Sequence, residues 1–326
     1  MTSRHAMKVL VTGASSLLGR HVALGLAERG DDVTCYQRSD AGTGLREVHA
    51  DIRDAATLSA SVAGHDAVVH LAALVAPKAA WGEAYDVNVT GTLNAMRAAA
   101  TCGRFVHVST PSVAFHDVAV VGGGVQPPSY RGRDVYAHTK AIAEQLVLER
   151  SEVATVVVRP HLVWGPGDTQ LVARLVDRAR RGHLALPDHG RALIDSTYVD
   201  DAAAAIVAAL DHAVIGDEAC AKAWIVTGDD PRPVAELVDG IVRAAGLETT
   251  PRSIPAPLAA LVGRLADRVW PGDEPPITHF AARQLSVAHW FDQRDTQRVL
   301  GWCPRVSVDE GLNRLAAWFV TNPVRD

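Results

Sequence analysis

The sequence predicts an α/β fold: a doubly wound parallel sheet with a smaller, mostly helical C-terminal lobe. Three observations carry this expectation. Short β-branched runs alternate with longer helical patterns from Lys8 to Asp211, the order expected of parallel strands joined by crossover helices. The runs VLVT, AVVHLA and TVVVR are apolar on both faces, as strands covered on both sides require. A glycine-bearing turn, TGASSLLG, links the first run to the first helical pattern.

Taken in order, strands are expected at Lys8–Thr12, Asp32–Gln37, Arg46–Ala50, Ala67–Leu71, Phe105–Ser109 and Ala154–Arg159. Between them the spacing predicts helices over Leu17–Arg29, Ala55–Ala63, Ala84–Thr101 and Val135–Glu149. After Arg159 prolines punctuate short elements, among them Pro160, Pro187, Pro231, Pro251, Pro271, Pro275 and Pro276. The pattern Asp200–Asp211 reads as part of the first domain again. The expected division is therefore 7–160 plus about 196–212 for the sheet domain, with 161–195 and 213–326 forming an interleaved second lobe. In that lobe Ile254–Trp270 carries apolar residues at near-helical spacing opposite Arg264, Asp267 and Arg268. A helix packed on the lobe's core is preferred there to a lipid-facing surface.

Bulk composition excludes several function classes. Of 326 residues, 48% are hydrophobic and 21% charged, ordinary for a globular protein with a substantial core. The net charge of −5 comes with no basic block, so nucleic acid is not an expected partner. Cys35, Cys102, Cys220 and Cys303 lie far apart, which fits neither a metal site nor a disulfide framework and points to a reducing, cytoplasmic setting. The histidines show no metal-ligand spacing, and no segment is long enough to span a bilayer or reads as a secretory signal.

The chemistry-bearing feature is Tyr136 and Lys140 in DVYAHTKAIAEQLVLE. Four residues apart on a helix, they share a face. A cation near a phenol lowers its pKa toward the range useful for proton exchange. Taken alone, such a pair reads first as a solvated helix face. The turn TGASSLLG supplies the context: Gly13 for the tight turn, Gly19 for close helix–strand packing, and Ser16 where a third glycine is usual. Such a Rossmann-type turn places backbone N–H groups against a pyrophosphate. At the end of the second strand stands Arg38, followed by Ser39. An acidic residue there would suit the ribose of NAD, whereas an arginine suits a 2′-phosphate, so NADP(H) is preferred over NAD(H).

With TGASSLLG, Asp51-Ile52, HLAA, Asn88 in NVTGT, HVSTPSV, YAHTK, VRPHLVWGPGD and STYVDD in order, the chain resembles an extended short-chain dehydrogenase/reductase. The tail from EPPITHF to LAAWF resembles the 3β-hydroxysteroid dehydrogenase-like branch. Within it, STPSV, RPHLVWGPGD and AHWFD look most like bacterial 2-alkyl-3-oxoalkanoate reductases. The resemblance implies a catalytic set of Thr110, Tyr136 and Lys140, with Ser109 and Ser112 as alternative hydroxyls. It implies cofactor contacts from Gly13, Ser15, Ser16, Leu17, Leu18, Gly19, Arg38, Ser39, Asp51, Ile52, Leu71, Ala72, Ala73, Lys140, Pro160, His161 and Val163. Ser112, Trp164 and Tyr198 are candidates for substrate contact, and no metal is implied.

The implied activity is NADPH-dependent reduction of a 3-oxo group on an apolar small molecule, most naturally a 2-alkyl-3-oxoalkanoate of olefin or β-lactone biosynthesis. A 3β-hydroxysteroid dehydrogenase and a nucleotide-sugar epimerase or dehydratase are the rival enzymes. An NADP-sensing binding protein is the non-catalytic rival, disfavoured because a sensor needs no activated phenol. The resemblance also implies a homodimer through two long sheet-flanking helices, and association with other enzymes of a lipid pathway.

Overall fold

The computed structural model describes residues 5–76, 79–130, 132, 134–150, 153–270 and 277–323. Pro271, Pro275 and Pro276 lie outside them. The strands in chain order begin with β1 (Lys8–Thr12), β2 (Asp32–Gln37), β3 (Arg46–His49), β4 (Ala67–His70), β5 (Arg104–Val108), β6 (Val120–Gly123) and β7 (Ala154–Pro160). All but β6 join one seven-stranded parallel sheet, whose order is Lys222–Val226, β7, β5, β4, β1, β2, β3. The strand Lys222–Val226 is a correction, because the sequence reading places that stretch in the second lobe. It pairs with β7 from Lys222 opposite Val156 to Val226 opposite Pro160.

Side chains alternate through the sheet into two buried layers, as the pleat dictates. On one side Val9, Val11, Val106 and Val156 pack with Val22 and Leu26 of α1 (Leu17–Glu28). On the other, Leu10, Val68, Phe105 and Val157 pack with Leu58 of α2 (Ala55–Val62). The expected helix 84–101 is broken into α3 (Trp81–Tyr85), a π-turn at Asp86–Thr90 and α4 (Gly91–Ala99). Gly91 shows why α4 lies so close to the sheet's edge: a Cβ there would fall 2.6 Å from Ile52 Cγ2. Then come α5 (Val135–Leu148), α6 (Val172–Arg180) and α7 (Val199–Asp211). Helix α7 returns to the sheet and packs on α1. Its Asp201 accepts backbone bonds from Arg305 and Val306 at 2.9 Å, tying the C-terminal segment to this layer.

The second layer of structure holds its own core, Leu175, Val176, Leu186, Leu237, Ile241 and Leu315 among others, with contributions from α8 (Val234–Ala244). Helix α9 (Ala256–Val269) reverses the expectation of a core-packed apolar face. Its inward face is small: Ala259, Ala260, Gly263 and Ala266 are buried, while Leu258, Leu261, Leu265 and Val269 are exposed. The cause is close approach, since a Cβ on Gly263 would lie 2.7 Å from His279 N at the start of α10 (His279–Gln284). Among the described residues no helix is long and apolar enough to cross a membrane.

Candidate active site

The glycine turn forms first. Gly13 has φ +76°, and a Cβ on it would fall 2.7 Å from Ala72 N at the end of β4. Ser16 caps α1: its Oγ donates to Gly13 O at 2.8 Å and accepts from Gly19 N at 3.1 Å. The serine at the motif's irregular position thus closes the turn. A cavity of about 170 Å³ opens beside it. Ten of the residues expected to hold a cofactor line it: Gly13, Ser15, Ser16, Arg38, Ser39, Asp51, Ile52, Leu71, Ala72 and Ala73. Arg38 is exposed on that wall and makes no side-chain hydrogen bond or ion pair among the described residues. Asp51 is committed to Arg53, with contacts at 2.9 and 2.7 Å, and this pairing holds its carboxyl down at about 2. Gln37, at the strand end, buries both polar side-chain atoms without partners among the described residues. A glycine cradle, a free guanidinium and an unspent amide together fit a dinucleotide.

The other expected cofactor residues lie elsewhere. Leu17 and Leu18 are half-buried and pack on the hydrophobic clusters. Pro160 sits in the sheet opposite Val226, and Val163 pairs with Thr197. His161 is buried edge-on to His289, at 4.9 Å between ring centroids.

Helix α5 starts at Asp134, whose carboxylate accepts from Ala137 N at 2.8 Å. Tyr136 is half-buried, and its hydroxyl has no hydrogen-bond partner among the described residues. Burial, with a smaller contribution from the Asp134 carboxylate, pushes the phenol above its ordinary value of 10. Lys140 is not among the groups that shift the phenol. Lys140 Nζ is buried and spent on strand β5, donating to Val108 O at 2.8 Å and to His107 Nε2 at 3.3 Å. Burial pulls the ammonium down to about 8, and Glu144 offsets this in part. Thr110 stands two residues beyond β5, and its Oγ1 accepts from Ser112 N at 3.3 Å. The Val108 bond therefore fastens α5 two residues from Thr110. Ser109 Oγ is buried without a partner among the described residues, whereas Ser112 Oγ accepts from Gln284 at 3.2 Å.

Behind this lies a polar network missing from the expected site residues. His107 stacks on His70 at 5.6 Å, and burial keeps both rings neutral. Thr92 Oγ1 donates to Asn88 O, so it accepts from His70 Nε2 at 3.0 Å, and Nδ1 accepts from Thr12 Oγ1 at 2.8 Å. Thr12 in turn receives Leu71 N and Ala72 N. In the π-turn, Asn88 accepts from Leu74 N at 2.7 Å and donates to Thr139 Oγ1 at 2.9 Å, next to Lys140. The sequence signals were the His in HLAA, the His in HVSTPSV and the Asn in NVTGT. Two substrate candidates fall out: Trp164 is buried, donating to Ser196 Oγ at 3.0 Å, and packs edge-on to Tyr198 in the second core.

Fold and site together define an NAD(P)-dependent oxidoreductase of the short-chain dehydrogenase/reductase type. Residues 9–219 match the NAD dependent epimerase/dehydratase family, and the chain belongs to it. It is 39% identical to the 2-alkyl-3-oxoalkanoate reductase of Stenotrophomonas maltophilia, over 95% of this chain and 99% of that one. It is 33% identical to the protein of the same name from Shewanella oneidensis, over 94% and 85%. In structure it resembles MoeE5 in complex with UDP-glucose and NAD, with a TM-score of 0.75 and 25% identity over 97% and 99% of the two chains.

Proposed function

We propose that this chain is an NADPH-dependent reductase of a 3-oxo group on an apolar substrate, most naturally a 2-alkyl-3-oxoalkanoate converted to its 3-hydroxy acid. The observation that carries the reading is the unpartnered, protonated Tyr136 phenol on a helix fastened beside Thr110 through Lys140 and Val108 O. The phenol is protonated at neutral pH and has no hydrogen-bond partner among the described residues, so its O–H is available to a carbonyl oxygen. Thr110 Oγ1 hydrogen-bonds the same oxygen. Bound NADPH supplies the hydride. Two Nζ–H bonds of Lys140 are spent on β5, leaving the third to hold the nicotinamide ribose. Arg38 and Ser39 hold the 2′-phosphate, which is the ground for preferring NADP(H).

Similarity to the two reductases supports the substrate class. The test is NADP⁺ and NAD⁺ reduction by the purified chain with a long-chain 2-alkyl-3-hydroxy acid, a 3β-hydroxysteroid and a UDP-sugar. Turnover of the hydroxy acid with NADP⁺ is expected. Turnover of the UDP-sugar alone, or a strong preference for NAD⁺, overturns the reading.

A further inference from the structure

The second lobe contains a cavity of about 470 Å³, a size common for small-molecule sites. Its apolar lining includes Leu171 just before α6, Leu175 of α6, Leu186, Leu237 of α8, Val262 of α9 and Leu285. Arg174 and Arg178 also border it; each is half-buried and already engaged, so they contribute aliphatic stems to the wall. Helix α9 contributes Ala259 and Val262 to the wall and is held close to the start of α10 by Gly263.

Gln284, the last residue of α10, lines this cavity and also a smaller one bordered by Pro111, Ser112, His161 and Phe291. Gln284 is thus a wall shared by the two spaces. Its Nε2 donates to Ser112 Oγ, two residues beyond Thr110. Gln284 therefore stands between the apolar cavity and the segment that carries Thr110.

We infer that the leucine-lined cavity is the site for an alkyl branch of the substrate, running from the reacting carbonyl past Gln284 into the space under α9. The inference rests on the reductase reading and adds to it the location of the chain and the limit on its length. A chamber of fixed volume rewards each buried methylene until it is full. Binding should therefore tighten about fourfold per added methylene and then level off.

The experiment measures calorimetric affinity of the full-length protein for saturated alkanoic acids of increasing length, which needs no turnover. It is repeated with Val262→Trp and Leu285→Trp. Both line the cavity, Val262 from an exposed position on its rim and Leu285 half-buried, so a larger side chain at either narrows the space without replacing a sealed core residue, and thermal unfolding checks each fold. Affinity should climb with length in the wild type, and both variants should level off at a shorter chain. Affinity independent of length, variants identical to wild type, or binding of a 3β-hydroxysteroid but no alkanoate would each overturn the assignment. Length-dependent binding with no reduction of any 3-oxo acid would leave the cavity assignment standing and remove the reductase reading alone.

Discussion

Tyr136 and Lys140 lie on one helix face, yet they act on different neighbours. The lysine is drawn back to Val108 O and His107, and the phenol keeps its proton because burial disfavours the phenolate. Tyr136→Phe removes the donor and little else, so turnover should fall by about 10²–10⁴-fold with NADPH affinity retained, as steady-state rates and fluorescence titration will read. Lys140 makes a pH prediction. Its folded-state value of about 8 lies below the ordinary 10.5, so below about 8 both folded and unfolded chains carry the charge and the fold bears the cost of burying it. Between about 8 and 10.5 the unfolded chain binds the extra proton, and stability rises with pH across that window. Urea unfolding should show a rise on the order of 3 kcal/mol for this group, absent from the difference curve of Lys140→Met.

At the scale of elements, the π-turn holds the exit of β4 against α5. Asn88 satisfies both Leu74 N and Leu74 O and reaches Thr139. Asn88→Ala leaves the half-buried Leu74 N–H and C=O without their side-chain partner and should cost about 1–3 kcal/mol in chemical unfolding, with a parallel loss of turnover as α5 shifts. The turn was not legible in the sequence, because a π-turn of five residues does not disturb the apolar spacing of 84–101. The bounds of β1 and β2 were legible, since apolar runs there stop at Gly13 and at the charged Arg38. KAWIV at Lys222–Val226 carries no crossover pattern after it, so its place beside β7 emerges only in three dimensions. Helix α9 shows another limit: periodicity reveals that a helix has two unlike faces, but close packing through Gly263 decides which one turns inward. At the site, the Tyr136–Lys140 spacing was readable, whereas the hold of His107 on Lys140 depends on a contact across 33 positions of chain.

Across the whole molecule, one buried ion pair governs where α5 sits. Glu144, one turn beyond Lys140, accepts from Arg159 Nε at 3.0 and 3.1 Å, and both side chains are essentially inaccessible. Arg159 Nη1 also donates to Gln126 O at 2.7 Å, so helix α5, strand β7 and the segment following β6 converge on one guanidinium. Water cannot replace a lost partner at such a point, and the remaining charge stays desolvated. Arg159→Met alone or Glu144→Gln alone should each cost about 3–5 kcal/mol, whereas Glu144→Leu with Arg159→Met should recover much of that loss, since apolar side chains of similar volume tolerate burial. A double-mutant cycle in urea separates the coupling from the single losses. Glu144 is also the one charge that partly offsets the burial of Lys140. Glu144→Gln should therefore move the lysine's ionisation further below about 8, so the pH at which stability begins to climb falls with it. A variant that loses stability while that onset stays in place would show the pair acting as a clamp alone.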